Sequence, residues 1–116
     1  MNIYAFYNKP EELDEFQRIM STDPEMAHDY AIHSNKPFPE GEAAIATNAR
    51  YAADYAMRII KGRWLPGEAA IAQHHGSAYT YARYALRDRF PAGEAIINTS
   101  KFYSGLYNDF VRTLNQ

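Results

Sequence analysis

The sequence predicts an all-α protein: a short-repeat α-solenoid of stacked short and long helix pairs, seven or eight helices in all. Three observations predict it. The phrase GEAAIA at 41–46 returns at 67–72, and a shorter echo, GEAII, occupies 93–97, so one constant step carries Gly41 to Gly67 and Gly67 to Gly93. Residues 42–67 align with 68–93 without a gap. Between the phrases, apolar residues recur at i and i+4 in two adjacent rows, the period of a helix rather than the alternation of a strand. A fixed period of this length is the signature of stacked supersecondary units, each unable to bury its apolar face alone.

The elements follow in order. Residues 1–15 read as a half-repeat, because Tyr4–Ala5 precedes Tyr30–Ala31 by the same step. The alternation of Ile3, Ala5 and Tyr7 equally suits a short strand, and the helical reading is preferred because it keeps the period. The first full unit spans about 16–41. Asp23 is placed to cap a helix with Pro24 at its first position. Ile19 stands one full step before Ile45 and Phe38 one full step before Trp64, whereas Tyr30 falls one position short of a step before Tyr55, so this unit contains small compensating indels. Units 42–67 and 68–93 each pair a short helix with a long one. In the short helix, Gly serves as N-cap, Glu42 or Glu68 meets the positive end of the helix dipole, and Ile45 or Ile71 is the apolar anchor. In the long helix of the second unit, Tyr51, Tyr55 and Ile59 form one row and Ala52, Ala56 and Ile60 the next; Ala78, Ala82 and Leu86 continue the pattern in the third. Pro and Gly in KGRWLPG and RDRFPAG end the long helices, and Trp64 and Phe90 tuck back into the core. Residues 94–116 carry Glu94, Ile97 and Tyr107 in register and substitute bulk, with Phe102, Leu106 and Phe110 in one row, as a capping unit would. Together these make one helical-repeat domain over 1–116, its columns defined by Ile19/Ile45/Ile71/Ile97, Tyr30/Tyr55/Tyr81/Tyr107, Glu42/Glu68/Glu94 and Trp64/Phe90.

Composition bounds the function. The chain has no cysteine, which excludes disulfides, thiolate metal sites and cysteine nucleophiles. No apolar run approaches the roughly 20 residues that span a bilayer, and the start has no basic-then-apolar leader. The expectation is a soluble, cytoplasmic protein without membrane contact. The net charge of −2 conceals an asymmetry: residues 1–42 hold three Lys/Arg against nine Asp/Glu, and residues 43–116 hold nine against five. Such a dipole along the chain steers a charged partner or favours head-to-tail self-association.

Chemistry-bearing motifs are sparse. Ser77, Ser100 and Ser104 lack a nucleophile-elbow context, and neither a phosphate loop nor a dinucleotide fingerprint is present. The histidine pairs have the wrong spacing for a helical metal site: His74–His75 are adjacent and His28–His33 five apart. His74 instead occupies the N-cap column of Asn48. No catalytic, cofactor or metal site is expected. The Glu42/Glu68/Glu94 column is either a carboxylate ridge facing a cationic partner or a set of helix-start charges paired with arginines such as Arg63 and Arg89.

The pattern R-W/F-P-x-G/A-E-x-x-I followed about ten residues later by Y-A resembles short tandem helical repeats of tailed-bacteriophage proteins and some bacterial ones. It is carried by Arg63–Ile71 with Tyr81–Ala82 and by Arg89–Ile97 with Tyr107, and it covers most of the chain. Leu65, between Trp64 and Pro66, and Asn108, where alanine is usual, depart from it. The resemblance implies a helical array of phage origin and brings no activity with it.

The functional expectation is therefore a non-enzymatic protein-interaction module, a phage accessory protein that binds a host or defence protein and alters or inhibits its activity. Arg50, Asp54, Arg58, Arg83 and Arg87 form one candidate partner-binding face. The acidic N-terminal third, with Glu11, Glu12, Asp14 and Glu15, forms a second. The alternative is a nucleic-acid-binding repeat protein, using Arg50, Arg58, Lys61, Arg63, Arg83, Arg87 and Arg89 with Trp64 and Phe90 as a basic and aromatic stripe. A homodimer joined through the N-terminal half-repeat is a further expectation.

Overall fold

The computed structural model describes residue 15 and residues 18–116. Glu11, Glu12, Asp14, the helix-or-strand alternative at Ile3–Tyr7 and the half-repeat proposed to join a dimer lie outside the described residues. Every regular element among the described residues is helical. Helical residues 18–22 precede α1 (Pro24–Ser34). A 3-10 turn, Pro39–Gly41, leads into the single turn α2 (Glu42–Ile45). Then α3 (Ala49–Tyr55) runs on into a π-helical segment, Ala56–Ile60. The order repeats: a 3-10 turn at Leu65–Gly67, α4 (Glu68–Ile71), α5 (His75–Thr80) and a second π-helical segment, Tyr81–Leu86. The chain continues through α6 (Pro91–Ile97) and α7 (Lys101–Leu114), which stays α-helical to its end. The extents are 52 × 25 × 24 Å.

One column starts every long helix. Asp23, Asn48, His74 and Ser100 are N-caps with extended backbones, and each side chain accepts the N–H three positions on, from Met26, Tyr51, Ser77 and Tyr103. Pro24 occupies the first helical turn of α1, as its fixed φ suits. Alanines then line the contacts: Ala27, Ala52 and Ala78, with Ala31, Ala56 and Ala82, are fully buried. Methyl side chains let the helix axes approach toward the lower end of the usual spacing.

The short turns lock onto these alanines through glycine. A Cβ added at Gly67 would lie 2.6 Å from the Trp64 ring and 3.0 Å from Ala52 Cβ; at Gly93 it would lie 2.6 Å from Phe90 and 2.9 Å from Ala78 Cβ. The recurrent glycine is therefore needed for close approach of an aromatic ring, more than for capping. Trp64 and Phe90 are buried, as are Ile45, Ile71 and Ile97.

The structure corrects the first column. Ile19 is 48% exposed, and its neighbour Met20 is the residue in the core, 1% exposed. Met20 stands one position short of a full step before Ile45, the same offset as Tyr30 to Tyr55. The missing residue can be located at the end of α1. There Asn35, at φ 54°, ends the helix in a Schellman motif: its N–H donates to the Ile32 carbonyl (3.2 Å) and the Lys36 N–H to that of Ala31 (3.4 Å). In the next unit the residue in the left-handed conformation is Lys61 (φ 61°), one position further on, and its N–H donates to the Ala56 carbonyl at 2.7 Å. Arg87 (φ 55°) does the same toward Ala82. The extra residue of the later units is the π-helical turn, so the period is one shorter before it than after it.

This also corrects how the long helices end. Left-handed Lys61 and Arg87 stop them, with Gly62 only following, and Pro66 and Pro91 belong to the next element. In the last unit Phe110 is buried, whereas Phe102 is 67% exposed, its ring edge-on to Tyr103 at 5.0 Å.

Candidate interaction surface

The buried polar groups of this protein build a repeated lock. Tyr55 Oη donates to Glu42 Oε2 (2.6 Å) and accepts the Phe38 N–H (3.0 Å). Tyr81 Oη donates to Glu68 (2.5 Å) and accepts the Trp64 N–H (2.8 Å); Tyr107 Oη donates to Glu94 (2.6 Å) and accepts the Phe90 N–H (3.0 Å). Each lock joins a long helix to the turn and short helix before it. Burial, reinforced by the adjacent carboxylate, raises the pKa of all three hydroxyls above the ordinary tyrosine value, so they stay protonated donors. Arg63 sits 3.6 Å from Glu68, and Arg89 donates twice to Glu94. Arg89, helped by Tyr107, holds the Glu94 carboxyl below its usual value. The Glu column is thus engaged with tyrosine in every unit, and with arginine as well at Glu68 and Glu94, and does not form a free carboxylate ridge. The constant offset between the Glu and Tyr columns, from Glu42 to Tyr55, Glu68 to Tyr81 and Glu94 to Tyr107, is the sequence signal for this pairing.

The predicted partner-binding residues divide into engaged and exposed sets. Asp54 is engaged: its Oδ2 lies 2.6 Å from Nε2 of buried His28 and 3.3 Å from Arg58. Burial pushes the Asp54 carboxyl up, but His28 and Arg58 together bring it below the ordinary range. Arg83 lies 5.5 Å from the Tyr84 ring centre and 5.6 Å from that of Phe110. Glu15 pairs with Arg18 at 2.7 Å. Arg50, Lys61 and Arg87 are exposed and make no ion pair among the described residues. The rings of the supposed nucleic-acid stripe, Trp64 and Phe90, are in the core, so they offer no face to a base.

Two histidines hold opposite electrostatic positions. His28 packs its ring 4.9 Å from that of Tyr51 and bridges Asp29 (2.9 Å) and Asp54. Burial pulls its pKa down, yet the two carboxylates outweigh burial and raise it. His74, by contrast, uses a neutral Nδ1 to accept the Ser77 N–H (3.1 Å), and the same atom lies 2.8 Å from Ser77 Oγ. Burial, then Arg50 and His75, lowers its pKa. His75 stacks between His74 and Tyr103, each at 5.1 Å, with its buried Nδ1 unpartnered among the described residues. No group of three or more His, Cys, Asp or Glu side chains among the described residues is gathered to hold a metal ion.

Two shallow grooves carry the exposed cations. One, of about 370 Å³, lies between α3 and α5, and its walls include Arg50, Ala53, His74, Ser77, Thr80 and Tyr103. The other, of about 450 Å³, lies where the two π-helical segments end, with Lys61, Arg63, Arg87 and Asp88 on its walls. No helix among the described residues is long and apolar enough to cross a membrane. No family model, curated protein or solved structure matches this chain.

Proposed function

We propose that this chain is a short α-solenoid serving as a non-enzymatic protein-interaction module, and, given the likeness of its repeats to those of tailed phages, an accessory protein that binds a host or defence protein in the cytoplasm and modulates it. The observation that carries the reading is the division of its polar groups. The buried ones close identical locks between units, while Arg50, Lys61 and Arg87 stand exposed on open grooves. Shallow, cation-edged grooves suit side chains of another macromolecule better than a small substrate, which is usually enclosed over most of its surface. The test is affinity capture with the tagged full chain from a bacterial lysate, followed by mass spectrometry. One defined protein is expected in stoichiometric amount and is lost with Arg50→Glu or Arg87→Glu. Absence of any stoichiometric protein, or retention by both variants, overturns the reading.

The nucleic-acid alternative is supported by one observation, the basic groove of Lys61, Arg63 and Arg87. With the aromatic rings in the core, such binding would rest on phosphate contacts alone and fall steeply with salt. It predicts nucleic acid co-purifying at low salt and absent at high salt, with Lys61→Glu removing it.

A further inference from the structure

His28 stands between two carboxylates. It is buried where α1 meets α3, with Nδ1 2.9 Å from Asp29 Oδ1 and Nε2 2.6 Å from Asp54 Oδ2. A neutral imidazole carries one N–H and an ionised carboxylate only accepts, so both contacts are hydrogen bonds only when the ring is an imidazolium. In the neutral ring one nitrogen turns a lone pair toward a carboxylate oxygen. The other groups around the ring do not remove that conflict. Tyr51 of α3 packs on it at 4.9 Å between ring centres and gives its hydroxyl to Glu25 of α1 at 2.9 Å. Arg58, in the π-helical segment, donates to Asp54 Oδ2 at 3.3 Å. It belongs to the same helical run as Asp54, so it keeps that carboxylate partnered without tying anything across the joint. Whichever nitrogen keeps its proton, deprotonation removes the attraction of opposite charges between α1 and α3.

The repeat shows how local this arrangement is. His28 shares a column with Ala53 and Tyr79, and Asp54 shares one with Thr80 and Leu106. In the later joints the same two columns therefore hold no pair that titrates near neutrality. We infer that the joint between α1 and α3 is a pH-operated latch, closed while His28 is an imidazolium held by Asp29 and Asp54 and loosened when the ring loses its proton. Burial favours the neutral ring, but the two carboxylates outweigh it, so release comes above the ordinary 6.5. Buried Ala27 and Ala31, and the Tyr55 hydroxyl on the Phe38 N–H, hold the first unit in either state. Opening is a local loosening of that unit, not loss of the fold. It alters surfaces shared by α1 and α3, and nothing in it depends on the identity of a partner.

Two measurements on the full chain test the latch: titration of the His28 ring by NMR, and backbone hydrogen exchange corrected for its intrinsic pH dependence. Protection in α1 is expected to fall about tenfold between about pH 6 and about pH 8.5, the scale of one charge-assisted hydrogen bond. Its midpoint should match that of the His28 ring, and α5 and α7 should lose no protection. His28→Gln should leave α1 at the weaker level at both pH values. Asp54→Asn keeps a hydrogen-bonding side chain but removes the charge. It should move the ring midpoint and the α1 transition to lower pH together, which decides the matter if His28→Gln does not fold. Unchanged α1 protection across the ring titration, an equal fall in α5 and α7, or a ring midpoint below 6.5 would each overturn the latch. So would a fall that survives in His28→Gln, since that would place the titrating group at His33 on the same helix.

Discussion

The joint between α1 and α3 and the joint between α3 and α5 share the same buried alanine and tyrosine columns and differ at most of their other positions. Both bury alanine against a glycine turn, and both close with a tyrosine that accepts a backbone N–H and donates to a glutamate. In the first joint the outer layer is filled: Tyr51, His28, Asp54 and Glu25 form one connected polar cluster. In the second the equivalent positions hold small buried residues, Ala53 and Ser77, and Arg50 and Asp54 edge a shallow groove. The buried columns are kept in both joints while the positions outside them change, so the outer layer varies over a constant inner one.

The largest expected effect tests whether the inner columns of the two joints are equivalent. Met20→Ala should destabilise by about 2–5 kcal/mol, as Ile71→Ala should, because both remove a fully buried side chain. Ile19→Ala should stay within about 0.5 kcal/mol, as exposed positions do. Urea unfolding of the three variants decides it; a large loss at Ile19 would restore the full step to the first unit.

The locks come next. Tyr55→Phe and Tyr81→Phe each leave a buried N–H and a half-buried carboxylate without their shared partner, at a cost of about 1–3 kcal/mol. The comparison predicts the two losses to be nearly equal. A Tyr81 loss much smaller than that of Tyr55 would show the second joint to be looser in its inner layer as well.

Much of this is legible in the sequence because a period amplifies weak signals. The helical class, the N-cap role of His74, and the burial of Ile45, Ile71, Ile97, Trp64 and Phe90 all follow from matching columns. The register at Ile19 is not legible, because letter identity favours the isoleucine, while the π-helical turn that shifts the first unit leaves no residue type behind to mark it. Asp54 reads as part of a free face because its partner, His28, belongs to a column otherwise held by Ala53 and Tyr79, so no repeat hints at the pair.

The histidines offer a finer separation, and here the signs oppose. His28 has a raised pKa in the fold, with Asp29 and Asp54 facing it and Arg58 on the far side of Asp54. Its contribution is fully present below the unfolded value of 6.5 and is lost as pH rises through the folded value. His74 has a pKa lowered by burial and then by its neighbours Arg50 and His75, so its contribution is present above 6.5 and is lost as pH falls through its folded value, when Nδ1 can no longer accept the Ser77 N–H. Unfolding followed across pH should show His28→Gln flattening the alkaline limb and His74→Asn the acid limb. Asparagine is the cap that α3 already uses at Asn48, so the stability of His74→Asn relative to the parent chain should be higher at pH 5 than at pH 8.

The smallest effect concerns how the units end. Asn35, Lys61 and Arg87 all hold a left-handed backbone, but asparagine tolerates that region far better than lysine or arginine. Glycine relieves the strain of a Cβ there and adds unfolded-state entropy, two effects that largely offset where strain is small. Lys61→Gly should therefore stabilise by about 0.5–1 kcal/mol, whereas Asn35→Gly should be neutral or slightly destabilising. The contrast matters because the left-handed residue follows a standard helical turn in the first unit and a π-helical turn in the second. If Lys61→Gly gains nothing, then the π-helical turn, rather than the residue after it, carries the strain at that end of the long helix. Deleting Ile60, which would give the second unit the shorter spacing of the first, becomes the sharper way to show it.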